Sequence, residues 1–394
     1  MSGRPRVAPH VEELPRSGIR KFFDIVARSK DVVSLGIGEP DFDTPWHISR
    51  AAITCIEDGG THYTSNLGTP VLRQAICRYL SRRFGASFDW ESETLVTVGV
   101  SEAIDLAVRA ICSPGDEVLY HEPCFVSYAP TVRLAHATPV AVETRVADGF
   151  RLTVEALERR TTPRTKALLL NFPCNPTGAA LSREEMEAIL GFAERHDLIV
   201  LADEVYSELD YRHEDDDVLL PSFSSFPAFH DRVVLLNGFS KSWAMTGYRL
   251  GYACGPADIV GAMMKIHQYG IMSAPTASQA AGAEAMDRGD RDVARMRREY
   301  RRRRDYLVPA LNGMGLPTRM PEGAFYIFSD ISGTGMDDEA FALKLLSDFG
   351  VAVVPGSAFG ACGAGFVRLS YATSMEKLRI AVGRMGKMLG QPGQ

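Results

Sequence analysis

The chain has 394 residues, 45% of them hydrophobic and 23% charged, with a formal net charge of −6. That length exceeds a usual single core, so two domains are expected in an ordinary globular protein. The negative balance argues against a general binder of nucleic acid or membrane, and no apolar run approaches a membrane span.

Seven cysteines are scattered without a Cys-x-x-Cys pair, a pattern that fits reduced thiols in a cytoplasmic protein. The first residues lead into no apolar h-region, so no secretory signal is expected. The arginine-rich run from Arg295 to Asp305 reads as the solvated, ion-paired face of a long helix, and the cluster Glu214 to Asp217 reads as a solvated loop.

The first forty-five residues read as an arm plus a short strand from Val32, punctuated by Gly36, Gly38 and Pro40. Thr44 is expected to cap a helix with Pro45 at its first position. A polar loop from His62 to Gly68 follows, and then a helix over 70–83 with Leu72, Ile76 and Leu80 on one face. From Leu95 a repeated grammar sets in. Apolar runs at Leu95–Val98, Glu117–Tyr120, Lys166–Leu170, Leu198–Ala202, Val233–Leu236 and Arg249–Ala253 alternate with helical patterns such as Arg183–His196. Short continuous apolar runs between helices predict an α/β fold with a mostly parallel sheet covered on both faces.

The last third changes character. A single helix from about Gln279 to Leu311 is expected, then antiparallel strands at Gly323–Phe328 and Phe366–Tyr371 in a smaller α+β domain that the N-terminal arm helps complete. The Gly-rich loop Gly356–Gly365 lacks either phosphate-binding spacing and reads as a turn before a strand.

Ligands of open α/β sheets bind outside the carboxyl ends of the strands. That edge carries Ser101, Phe125, Asn175, Asp203 and Lys241. Lys241 lies among Phe239, Trp243 and Met245, company that favours a desolvated, nucleophilic amine. Ser101 opens a helix whose free N–H groups suit a phosphate, and Arg249 suits the same group. Phe125 can stack on a ring, Asp203 can hold a ring nitrogen protonated, and Asn175 and Tyr206 can bond a phenolic oxygen. Singly, each has a plainer explanation: Asp203 as a cap, Asn175 as a turn former, Tyr206 as a packing aromatic, Arg249 as a surface ion pair, Lys241 as a lysine laid over an aromatic. Jointly they fit pyridoxal phosphate. No Walker loop, dinucleotide fingerprint, Gly-x-Ser-x-Gly elbow or metal-ligand spacing of histidines competes. Ser374 to Lys377 fits a Ser-x-x-Lys pattern without supporting motifs.

Asn175-Pro-Thr-Gly178, Asp203-Glu-Val-Tyr206, Ser240-Lys241 with Arg249, and Val367-Arg-Leu-Ser-Tyr371 carry a resemblance to the class I/II (fold type I) pyridoxal-phosphate aminotransferases. It runs from about Gly18 to Met385 and is closest to the prokaryotic aromatic and broad-specificity, aspartate aminotransferase-like branch. The resemblance implies a large domain over 46–280 and a small one built from 1–45 and 281–394. It implies that Lys241 is the Schiff-base lysine and proton shuttle, and that Asp203 pairs with the pyridine nitrogen. Asn175 and Tyr206 then bind the 3-oxygen, Phe125 stacks on the ring, and Val100, Ser101, Ser240 and Arg249 hold the phosphate. Tyr63 would reach that phosphate in a neighbouring subunit, which implies a homodimer. Arg368, with Asn175 and the backbone of Gly38, would clamp the substrate carboxylate, and Ile19 and Tyr326 would line the substrate side. Gly238 stands where some members have a phosphate-binding serine. Ser101 stands where aspartate-specific bacterial relatives have a lysine, which argues against a dedicated aspartate enzyme. A ping-pong transaminase acting on aromatic or small neutral amino acids, with 2-oxoglutarate as acceptor, is the expected activity. An acylated diaminopimelate donor, a C–S β-lyase and a cofactor-sensing regulator are the alternatives.

Overall fold

The structure, a computed structural model, describes residues 6–14, 31–213 and 218–390. Ile19 and the acidic cluster 214–217 lie outside the described residues. Among the described residues twelve strands occur in chain order: β1 (Val33–Ser34), β2 (Thr94–Thr97), β3 (Glu117–Glu122), β4 (Thr138–Glu143), β5 (Thr165–Asn171), β6 (Ile199–Asp203), β7 (Val233–Gly238), β8 (Gly251–Cys254), β9 (Tyr326–Asp330), β10 (Val351–Ala352), β11 (Val354–Pro355) and β12 (Phe366–Ser370).

Seven of them form the central sheet in the order β2-β8-β7-β6-β5-β3-β4. β8 is antiparallel to both of its neighbours, and every other pairing is parallel. The alternation of side chains across a strand decides how this sheet is covered. Leu168 and Leu170 of β5 face a core with Leu181, Ile189, Leu190 and Phe192, whereas Ala167 and Leu169 face Ala103, Ala107, Val260 and Met263 on the opposite side. Both faces are therefore dry, and each large aliphatic side chain so buried contributes about 1.5–3 kcal/mol. A second, three-stranded sheet has the order β11-β12-β9 and is antiparallel, and β1 pairs in parallel with β10 beside it.

The local signals mostly act as their chemistry predicts. Thr69 caps the helix Pro70–Phe84, and Gly85 ends it with a φ of 67°. Ser182 and Glu185 form a reciprocal capping box at the start of Arg183–Arg195.

Four expectations need correction. Thr44 is not a cap: the helix begins at Trp46 with Pro45 before it, and the Thr44 hydroxyl instead donates to the Ala244 carbonyl at 2.6 Å. Arg249 precedes its strand, with a left-handed φ of 49°, and β8 starts at Gly251. β4, an edge strand whose residues are mostly part-exposed, escapes an apolar-run reading. The expected long helix is two, Thr276–Arg288 and Asp290–Gly313, broken at Gly289. A Cβ at Gly289 would stand 2.3 Å from Nε1 of Trp243, so the break gives the indole its space.

Candidate active site

A cavity of about 510 Å³ opens at the carboxyl edge of the central sheet. β6 ends in Asp203, β5 ends in Asn171 with Asn175 just beyond, and Lys241 follows β7 by a few residues. Phe239, Trp243 and Met245 are buried in a core with Leu72, Ile76 and Leu80, so the loop around Lys241 is anchored by its own apolar residues. Ser240 and Lys241 are left on the cavity wall.

The charged groups have specific partners. Nζ of Lys241 donates to the Gly38 carbonyl at 2.6 Å. Burial lowers this amine to about 8, the charges of Arg368 and Arg249 push the same way, and Glu39 opposes them. Asp203 is buried, and burial raises its carboxyl to about 6 against the hydrogen bonds that favour its charge. Those bonds come from the Tyr128 hydroxyl to Oδ2 at 2.7 Å and the Val205 N–H to Oδ1 at 3.3 Å. The Tyr206 hydroxyl lies 2.9 Å from that of Tyr326.

Arg368 projects from β12 of the smaller sheet and is 3% exposed. Its Nη1 donates to Asn175 Oδ1 at 3.0 Å and its Nη2 to the Gly36 carbonyl at 2.6 Å, while the guanidinium lies 4.4 Å from the Tyr326 ring. Nε has no hydrogen-bond partner, and no carboxylate pairs with this arginine among the described residues. A buried cation held only by neutral groups is suited to an incoming carboxylate. The backbone of Gly36 meets Arg368, while the neighbouring Gly38 carbonyl accepts from Lys241 and Gly38 also lines the cavity.

The same cavity is also lined by Val100, Ser101, Ser240 and Arg249. Glycines permit this crowding. A Cβ at Gly99, whose φ is 74°, would be 2.9 Å from Nη2 of Arg249, and one at Gly251 would be 2.5 Å from the Gly99 carbonyl carbon. Gly238 is similarly confined, with Val100 Cγ2 at 2.9 Å from its missing Cβ.

The cavity thus gathers Gly38, Val100, Ser101, Phe125, Asn175, Asp203, Tyr206, Ser240, Lys241, Arg249, Tyr326 and Arg368. Tyr63 is not among its lining residues; it is 82% exposed on the surface. Sequence reasoning missed Tyr128, which nothing local in Val126-Ser-Tyr128 announces, and Asn171. The Asn171 side chain donates to the Asp203 carbonyl at 2.8 Å and accepts from the Asn175 N–H at 3.0 Å. A polar residue closing the apolar run of β5 was the available signal. The residues fit a phosphorylated pyridine aldehyde: an amine, a buried acid, an aromatic face, and an arginine beside a helix start converge on one wall.

The chain matches the family model for aminotransferase class I and II over residues 30–385. It is 47% identical over 375 residues to the aspartate aminotransferase of Pyrococcus abyssi, covering 95% of each chain. It is 43% identical over 385 residues to aromatic-amino-acid aminotransferase 2 of Thermococcus litoralis, covering 97% of this chain and 98% of that one. The crystal structure of the aromatic aminotransferase from Pyrococcus horikoshii OT3 superposes with a TM-score of 0.88 at 45% identity, covering 94% of this chain and 98% of that one. A part-buried lysine and a buried acid at the carboxyl edge of an α/β sheet, sharing a cavity with an arginine from a second sheet, accompany the fold of the type I transferases. The chain belongs to the class I and II aminotransferases, and its activity is amino-group transfer.

Proposed function

We propose that this aminotransferase works with pyridoxal 5'-phosphate bound in the cavity beside Lys241, and that it moves the α-amino group of an aromatic or small neutral amino acid to a 2-oxo acid such as 2-oxoglutarate. The observation that carries the reading is that a part-buried lysine lowered to about 8 and a buried acid, Asp203, line one cavity with the carboxylate-free Arg368. When bound, the cofactor supplies an electron sink that acidifies the substrate α-carbon.

The chain's own residues do the rest. Asp203 keeps a proton on the ring nitrogen, helped by Tyr128, which favours the charged carboxylate. Asn175 and Tyr206 bind the ring's 3-oxygen, and Phe125 covers its face. Val100, Ser101, Ser240 and Arg249 hold the phosphate. Arg368 and Asn175 clamp the substrate carboxylate, with Gly38 and Tyr326 lining the substrate side. This places the α-proton within reach of Nζ of Lys241, which takes it as a free amine and returns it. The order is ping-pong, the first 2-oxo acid leaving before the second enters.

Support for a neutral side chain comes from the lining: beyond Lys241, Arg249 and Arg368 the cavity wall carries no cation among the described residues, and Ile104, Val126 and Val205 add apolar surface. The relatives named above include aspartate and aromatic enzymes at similar identity, so the donor is a matter for assay. We assign 46–280 to a large cofactor-binding domain and 1–45 with 281–394 to a small one that brings Arg368. We further propose a cytoplasmic homodimer in which Tyr63 reaches the neighbouring subunit's phosphate; its exposure and the seven free cysteines support this.

A panel assay tests the proposal. Purified protein is mixed with amino acids and 2-oxoglutarate, and glutamate, pyruvate and ammonia are followed. Glutamate without ammonia is expected; pyruvate with ammonia from a thioether would make it a lyase, and no spectral change with any amino acid would make it a sensor. The Lys241→Ala variant should lose turnover, and normal turnover would sink the assignment of that lysine.

A further inference from the structure

The turn that starts the helix Gly99–Ile111 is held from two sides. On the sheet side Gly251 lets it approach β8 at backbone contact distance. On the other side Glu102 reaches back along its own helix. Its Oε2 accepts the Val98 N–H at 2.5 Å, and its Oε1 lies 2.7 Å from Nδ1 of His267.

His267 sits on the helix Ala257–Gly270 and is fully buried, yet its Nε2 has no hydrogen-bond partner. A buried ring nitrogen without a partner costs stability that an apolar side chain at the same place would not. The Nδ1 contact with Glu102 is the one polar contact this imidazole makes among the described residues. A carboxylate in the first turn also stands close to where an anion would bind, and would repel it. A donor from His267 draws that charge away while Glu102 keeps its hold on Val98.

We propose that Glu102 and His267 are a positioning pair for the cofactor's phosphate. They fix the Val98–Ser101 turn, whose first-turn N–H groups have no intrahelical partners, so that it meets the phosphate together with Ser240 and Arg249. The inference rests on the pyridoxal-phosphate reading above and deepens it.

The test compares binding of pyridoxal phosphate with that of pyridoxal, which lacks the phosphate, to the full-length protein, both titrated by absorbance. His267→Leu is expected to weaken pyridoxal phosphate about tenfold, the loss of one buried charge-assisted hydrogen bond, and to change pyridoxal by no more than about twofold. His267→Asn, whose amide N–H can take the place of Nδ1–H, should restore binding to within about threefold of the parent. Should His267→Leu not fold, His267→Phe, which fills the same space with a ring and likewise lacks a donor to Glu102, is scored by the same ratio. Equal weakening of both ligands, or none, overturns the positioning role and leaves the pair a helix cap. A parent protein that binds neither ligand overturns the cofactor reading and this inference with it.

Discussion

Arg368, buried, and Lys241, part-buried, share a cavity, and each is held by a backbone carbonyl rather than by an acid. Burial lowers Lys241 to about 8, so its free amine becomes the major form just above that pH rather than above 10.5. Acylation of Nζ in cofactor-free protein, followed by mass spectrometry, should be half-maximal near pH 8; a half-point near the ordinary 10.5 would oppose the desolvated environment. The stability sign follows. With its folded value lowered, the unfolded chain binds more protons between about 8 and 10.5, so this group's contribution rises with pH through that window. Glu204 behaves in the opposite sense. Burial raises it from 4.5 to about 8, so the folded state binds more protons there and stability falls as pH rises through the window. Glu204→Gln should therefore gain stability relative to the parent above pH 8 and little at pH 5, read from urea melts. Tyr128→Phe removes a buried charge-assisted hydrogen bond to Asp203 and should lower kcat/KM about tenfold. Lys241 and Asp203 were legible because each closes a recognisable strand-to-loop transition. Tyr128 was not, since its partner lies 75 residues away and only the folded sheet brings them together.

The elements show where periodicity fails as a guide. Thr276–Arg288 and Asp290–Gly313 carry one nearly continuous helical pattern, and the break at Gly289 answers to Trp243, a residue on the lysine loop. Gly289→Ala should cost about 1–3 kcal/mol in urea unfolding, because the indole and the helix backbone both occupy the space of the new methyl. β8 is another such case. Its apolar run reads like any parallel strand, yet it returns antiparallel between β2 and β7. Length does not decide its direction, since the connection from Gly238 to Gly251 could span a crossover; what suits the antiparallel pair is that it holds a short 3-10 turn and no crossover α-helix. The parallel core, by contrast, was plain from its alternation with helices.

For the whole molecule the class of fold was legible because two kinds of pattern follow one another, continuous apolar runs first and then alternating strands. How the two sheets meet was not, since Arg368 and Asn175 touch across 193 residues of sequence. The proposed dimer makes a prediction at this scale. Tyr63→Ala and Lys241→Ala chains, each impaired alone, should regain activity when unfolded together and refolded. Random pairing places both defects in one site of a hybrid and leaves the other intact, so about a quarter of sites are restored. No recovery would mean that Tyr63 serves its own chain or none.

One consequence follows from where Arg368 originates. Lys241 and Arg249 belong to a single short connection between β7 and β8, whereas Arg368 is delivered by β12 and braced by Gly36 beside β1. Chimaeras that exchange the terminal portion of the chain between relatives would carry the proposed α-carboxylate clamp with them and leave the lysine loop untouched. Since every amino donor carries the same α-carboxylate, such exchanges are expected to leave donor preference with Ile104, Val126 and Val205, which stay behind in the part of the chain that holds the lysine loop.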